Sequence, residues 1–117
     1  MNKRKTGAYW EEYAARCLTE AGAVISERNF RCSRGEIDLI GYHQGCLVFW
    51  EVKYRSDDRF GTALEAVTEK KQRTICRCAD VYLYRNRIPA DQPVRFDVAA
   101  ICAGKMEWIQ NAFDYRR

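Results

Sequence analysis

No apolar stretch in this chain approaches the ~18 residues that a membrane-spanning helix requires, so the sequence predicts no transmembrane segment. Met1-Asn2-Lys3-Arg4-Lys5 carries the charge of a signal-peptide n-region, but no apolar segment follows it. The chain therefore reads as cytoplasmic, with no membrane partner. There is one histidine, His43, and no Cys-x2-Cys spacing; the only close cysteine pair is Cys76-x-Cys78. That leaves little from which to build a zinc site. The six cysteines are even in number, yet a reducing compartment argues against a disulfide framework. They read as free thiols behaving as small apolar side chains. The only two prolines both fall within residues 86–93, which read as a loop. No internal repeat, low-complexity segment or linker interrupts the chain. At 117 residues it is long enough for a real core and reads as one domain over residues 1–117. Neither sign of charge dominates: 20 basic against 16 acidic residues give +4, a mild bias towards polyanions.

What the chain does have is Asp38, then twelve residues, then Glu51-Val52-Lys53. Residues 36–42 and 46–54 are rich in β-branched and aromatic residues, and His43-Gln44-Gly45 between them reads as a tight turn. A two-residue loop, Gln44-Gly45, sets His43 against Cys46 and Asp38 directly opposite Glu51. A three-residue loop shifts the pairing by one and leaves the two carboxylates diagonal. Either register brings them within reach of a shared ligand. Glu51 and Lys53 share one face of their strand, and Glu36 shares a face with Asp38.

Mg2+ takes oxygen ligands in an octahedron, commonly one or two carboxylates, waters and a substrate phosphate. A backbone carbonyl such as that of Val52 can add a ligand without adding charge. The ion acidifies bound water and neutralises charge on phosphate. A nearby lysine can orient the attacking water or, if burial depresses its pKa, take its proton. An Asp–Lys or Glu–Lys pair across an exposed hairpin gives the same bare pattern. However, Leu47-Val48-Phe49-Trp50 is apolar on both faces, as in a central strand, where charges are costly unless partnered.

Residues 6–21 predict a helix with the apolar stripe Trp10, Ala14, Cys17, Leu18 and Ala21, ended by Gly22. Glu11 lies at the margin of that stripe; Glu12 points nearly opposite, towards solvent. Glu11 is thus the one helix carboxylate able to reach a site, although its position alone suits a solvated glutamate better. Residues 23–30 read as a strand, 31–35 as a basic turn and 56–61 as a polar loop. A long helix is expected over 63–85, with Leu64, Val67, Ile75, Cys78, Ala79 and Tyr82 as its stripe. Lys71 falls near the centre of that stripe and must snorkel out or meet an anion. Glu65, Glu69, Lys70, Arg73, Arg77 and Asp80 read as ordinary surface charges. Residues 94–101 and 106–109 predict two further strands, and Asn111-Ala112-Phe113 an aromatic plug against the sheet. The order αβββαββ indicates an α/β fold (α+β mixed sheet) with helices packed on a single sheet.

Gly35-Glu36-Ile37-Asp38-Leu39-Ile40 and Val48-Phe49-Trp50-Glu51-Val52-Lys53-Tyr54-Arg55 resemble the YraN family of small bacterial proteins. So do Glu11-Glu12-Tyr13-Ala14-Ala15-Arg16-Cys17-Leu18, Arg28-Asn29-Phe30-Arg31, Phe60-Gly61, Ala66-Val67, Lys71-Gln72-Arg73, Arg95-Phe96-Asp97 and Asn111-Ala112-Phe113, in order and spacing, over nearly the whole chain. That family is regarded as predicted endonucleases distantly similar to archaeal Holliday junction resolvases, with the PD-(D/E)xK restriction-endonuclease-like fold. The resemblance implies that Asp38 and Glu51 bind Mg2+ or Mn2+ and that Lys53 positions or activates water. It implies that Glu11 binds a second metal or holds a metal-bound water, and that Lys71 reaches phosphate or a site carboxylate. Glu36 would support the ligands. Arg34 would contact phosphate, and Asp97 would make a buried structural hydrogen bond; apart from the resemblance, Arg34, Arg55, Arg59 and Lys71 read as basic contributors to salt-dependent nucleic-acid binding. Two residues depart from the resembled pattern: Trp10 stands where the family has glycine, and Tyr54 where it has a small residue such as threonine. Both are bulky enough to reshape a site entrance.

Three functions compete at this stage. The first is a metal-dependent nuclease acting on DNA, including branched DNA, for which a symmetric homodimer would be expected because two strands must be cut. The second is a non-catalytic nucleic-acid-binding module of the same fold, and the third a protein-interaction domain. Intact Asp38, Glu51 and Lys53 favour the first over the second; the modest net charge favours the third.

Overall fold

The structure, a computed structural model, describes residues 3–56 and 60–117. The elements are α1 (Lys3–Glu20), β1 (Val24–Cys32), β2 (Gly35–His43), β3 (Cys46–Arg55), α2 (Phe60–Glu65), α3 (Glu69–Arg85), β4 (Val94–Cys102) and β5 (Lys105–Phe113). The five strands form one mixed sheet in the order β1-β2-β3-β4-β5. Only β3 and β4 run parallel; the other pairs are antiparallel. A parallel pair needs a crossover, and α2 with α3 supplies it. Among the described residues, no helix is long and apolar enough to cross a membrane.

Alternation along the central strand sorts the core into two layers. Leu47 and Phe49 join Phe30, Ile40, Ile75, Tyr82 and Phe96 on the α3 side. Val48 and Trp50 join Leu18, Leu39, Ala99 and Ile101 on the α1 side. Both faces of the first half of β3 are therefore covered, which is why Leu47-Val48-Phe49-Trp50 is apolar without interruption. Trp50 is fully buried, with its ring 6.0 Å from that of Trp108.

Gln44 and Gly45, at φ 50° and 82°, make the two-residue turn, and His43 pairs with Cys46. Positive φ at both central positions marks a type I′ turn, whose twist matches the strands; glycine takes that conformation without steric cost. The three-residue alternative does not occur. The expected long helix over 63–85 is broken. Thr68, in extended backbone (φ −67°, ψ 166°), accepts from Lys71 N at 3.2 Å and starts α3 afresh. A threonine oxygen capping the N–H three residues on competes with continued helix. β1 continues to Cys32, so the basic turn shrinks to Ser33-Arg34, and β5 runs from Lys105 to Phe113 rather than over 106–109. The expected aromatic plug is the end of β5: Phe113 is buried, stacked on Phe96 with ring centres 5.2 Å apart.

Candidate functional site

β2 and β3 are paired from the turn as far as Leu39 and Trp50, and no further. Beyond that point β2 stays on β1 (Ile37 with Phe30, Glu36 with Arg31), while β3 stays on β4 (Glu51 with Val98, through to Arg55 with Cys102). The sheet forks, and Asp38 and Glu51 stand at the crotch. A ladder broken there leaves backbone donors free, and Asp38 takes one: Val52 N donates to its Oδ2 at 2.8 Å. Strand alternation slips at the same place. Ile37 and Ile40 both pack on the α3 side although they are three apart. On β1, between Arg28 and Phe30, which pair with Leu39 and Ile37, Asn29 takes φ 54°. Asparagine tolerates the left-handed region better than most residues.

Glu11 on α1 and Glu36 and Asp38 on β2 each bring a carboxylate oxygen within 4.8 Å of the others. Glu51 is close enough to Asp38 for their carboxyls to share a hydrogen bond. Burial pushes the Asp38 pKa up, as do that hydrogen bond and the negative charges of Glu51 and Glu11, to about 9; the Val52 N–H opposes the rise. Glu11 is also raised, first by burial and then by Glu36, with Asn29 pulling the other way. Asn29 faces two carboxylates, so its amide NH2 points towards them, donating to Glu11 Oε1 at 2.8 Å and Glu36 Oε1 at 3.2 Å. Glu36 Oε2 accepts from Arg31 Nε at 2.9 Å.

The cation at the fork is Lys71. From the first turn of α3 its Nζ lies 3.3 Å from Glu51 Oε2, one end of the ion pair half-exposed and the other buried. Burial alone would lower the Lys71 pKa, but Glu51, then Asp38 and Glu36, outweigh it and the net shift is upward. The pair is not aligned as a hydrogen bond, so Glu51 Oε2 is a buried acceptor without one. Of the two wheel readings, Lys71 meets the anion. Lys53 is half-buried on the same strand face as Glu51, and no ion pair joins it to Asp38 or Glu51 among the described residues. Val52 contributes its N–H to Asp38.

Other expectations need correction or placing. Glu36 lies with Glu11 and Asp38 among the clustered carboxylates. Glu12 does point away from the fork, but it is paired with Arg28 rather than free in solvent. Arg55 ends β3, half-buried, and Arg34 is exposed at the β1–β2 turn. Arg59 lies outside the described residues. Asp97 is fully buried and accepts from Arg95, the Trp108 indole and Asn111 N, the structural network expected of it. The structure joins none of the six cysteines in a disulfide. Asn29 was not foreseen as a bridge between carboxylates; its place beside Arg28 in a strand carried no signal of that kind. Trp10 and Tyr54, the two departures from the resembled pattern, stack on each other with ring centres 4.4 Å apart.

A divalent cation suits this donor set. The carboxylates are hard oxygen ligands, as Mg2+ and Mn2+ require. Lys71 pairs with Glu51 and Arg31 with Glu36, while burial and the neighbouring Glu51 push the Asp38 pKa up and Glu51 Oε2 is left without an aligned donor.

Residues 10–101 match the model of the uncharacterised protein family UPF0102. A UPF0102 protein of Lachnoclostridium phytofermentans is 46% identical over 114 residues, covering 97% of each chain. One from Saccharophagus degradans is 45% identical over 109 residues, covering 93% of this chain and 92% of that one. A third, from Yersinia enterocolitica, is 41% identical over 115 residues, covering 97% and 98%.

Proposed function

This chain belongs to the uncharacterised protein family UPF0102, and from the site it carries we propose that it is a metal-dependent nuclease hydrolysing phosphodiester bonds in DNA. The observation that carries this reading is the fork: carboxylates from α1, β2 and β3 meet in one place with too little positive charge to neutralise them. Asp38 and Glu51, with the carbonyl of Val52, would hold Mg2+ or Mn2+, and Glu11 and Glu36 extend the acidic surface on the α1 side. A bound ion of this kind supplies acidified water and charge neutralisation at phosphate. The Val52 N–H fixes one oxygen of Asp38 and so sets the direction of the other. Asn29 holds Glu11 and Glu36 in a common orientation. Lys71 holds Glu51 in place through their ion pair. Lys53, next along the same face, would hold a phosphate oxygen or the attacking water.

The test is cleavage of labelled single-stranded, duplex and four-way-junction DNA with Mg2+, Mn2+ or EDTA. Wild type should cut at least one substrate with metal and none with EDTA. Asp38→Asn, which keeps shape and loses charge, should abolish cutting while retaining nucleic-acid binding. If the junction is the preferred substrate, light scattering of the protein on it should show a dimer, since two strands must be cut. Wild-type cutting by Asp38→Asn would remove the fork from the chemistry. The Lys71–Glu51 ion pair, which gives Glu51 a structural partner, favours one rival: a nucleic-acid-binding module that does not cleave. Binding without cutting of any substrate under either metal would establish that rival.

A further inference from the structure

Lys70, Arg73 and Arg77 read in the sequence as ordinary surface charges of a helix. In the fold they are not separate. With Thr74 on the same face of α3, and with Arg34 brought over by the β1–β2 turn, they line a cleft of 410 Å³ with no carboxylate among its walls. The turn reaches the helix because of Gly35: a Cβ there would lie 2.6 Å from the Thr74 methyl, too close to be accommodated without a shift. Arg77 is committed elsewhere, to Asp80 at 3.1 Å and to the hydroxyl of Tyr115 at 2.8 Å. Arg34, Lys70 and Arg73 are exposed, and none has an ion-pair partner among the described residues. Three free cations in one concavity repel one another, an arrangement that favours a polyanion.

Cleft and fork draw on neighbouring stretches of the chain. Arg34 precedes Glu36 and Asp38 on the β1–β2 side, and Lys70 precedes Lys71 on α3. We propose that this cleft seats the phosphodiester backbone of the nucleic acid, Arg34, Lys70 and Arg73 taking phosphates flanking the one presented to the fork. A strand laid along it passes from a wholly basic surface to a carboxylate cluster whose remaining need is a cation and a phosphate. The inference rests on the nuclease reading for its account of the fork, but the binding it describes does not require cleavage. Contacts of this kind go to the backbone and carry no sequence preference.

The experiment is fluorescence anisotropy of labelled single-stranded and duplex oligonucleotides in EDTA, where no metal-dependent cutting occurs. Arg73→Glu is compared with Lys105→Glu, the same charge change at the first residue of β5, the strand at the far edge of the sheet. Both side chains are exposed, and melting curves check that both variants fold. Arg73→Glu should weaken binding about tenfold near 50 mM salt and lower the slope of log affinity against log salt by about one. Lys105→Glu should stay within about twofold of wild type. Equal losses in the two variants would mean that only net charge matters and would overturn the assignment. So would wild-type affinity in Arg73→Glu, the result expected if the cleft receives an acidic protein surface instead. The two readings fail separately: a protein that binds through the cleft but never cuts loses only the nuclease, and one that cuts with Arg73→Glu binding normally loses only the cleft.

Discussion

Asp38 is where the cost of the site is concentrated. An acid whose pKa is higher in the folded than in the unfolded chain binds more protons when folded between those two values, so stability falls as pH rises through that interval. For Asp38 the interval runs from the ordinary 3.8 to about 9, and Glu11 acts in the same direction from 4.5 upward. Lys71 is raised from 10.5, so its stabilising contribution is intact throughout and lost only at higher pH. The melting temperature of the metal-free protein should therefore drop steadily from pH 5 to pH 9. Asp38→Asn should flatten that drop and melt above wild type at pH 8. Mg2+ or Mn2+ should restore the wild-type melting temperature most at the alkaline end, where the cation replaces the missing proton. A melting temperature that rises over the same interval would show that the carboxylates are not crowded as described.

Among the elements, α1 depends on an aromatic contact to bring Glu11 to the fork. Trp10 stacks on Tyr54 of β3 and meets Tyr13 edge-on at 5.5 Å, while the Tyr13 hydroxyl donates to Gly104 O at 2.9 Å. Trp10→Ala should lower unfolding stability by about 2 kcal/mol in urea, the loss of a half-buried ring and its stacking. Trp10→Phe should recover most of it; an unchanged urea midpoint in Trp10→Ala would mean that α1 is held without the stack. How far such features were legible depends on their range. The β2–β3 hairpin was readable because a glycine turn between apolar runs fixes register locally, and Lys71 because a charge inside an apolar stripe is conspicuous at any distance. The break before α3 was hidden, since Thr68 lies in a run whose helical spacing continues across it. The fork itself was not readable: where two strands stop pairing depends on β1 and β4 competing for β2 and β3. The basic cleft required knowing that Arg34 meets α3, a contact between segments distant in sequence.

At the scale of the whole molecule, charge is segregated although its sum is small. Acids gather where the sheet forks, and cations line the outer face of α3, so a net +4 conceals two neighbouring fields of opposite sign. The strand order of the sheet repeats the order of the chain, with one crossover. That order also has a consequence in time. Glu11, Glu36, Asp38 and Glu51 all belong to α1 and the first three strands, where Arg31 of β1 pairs with Glu36, whereas the lysine that pairs with Glu51 arrives only with α3. A chain emerging from the ribosome assembles its repulsive elements before the lysine that relieves them has been made. Early folding thus runs uphill electrostatically until α3 docks or a cation intervenes. In stopped-flow refolding of the metal-free protein, the rate should increase as pH is lowered from 8 to 5 and when Mg2+ is added at pH 8. A rate indifferent to both would mean that the carboxylates meet only after the rate-limiting step, with Lys71 already beside them.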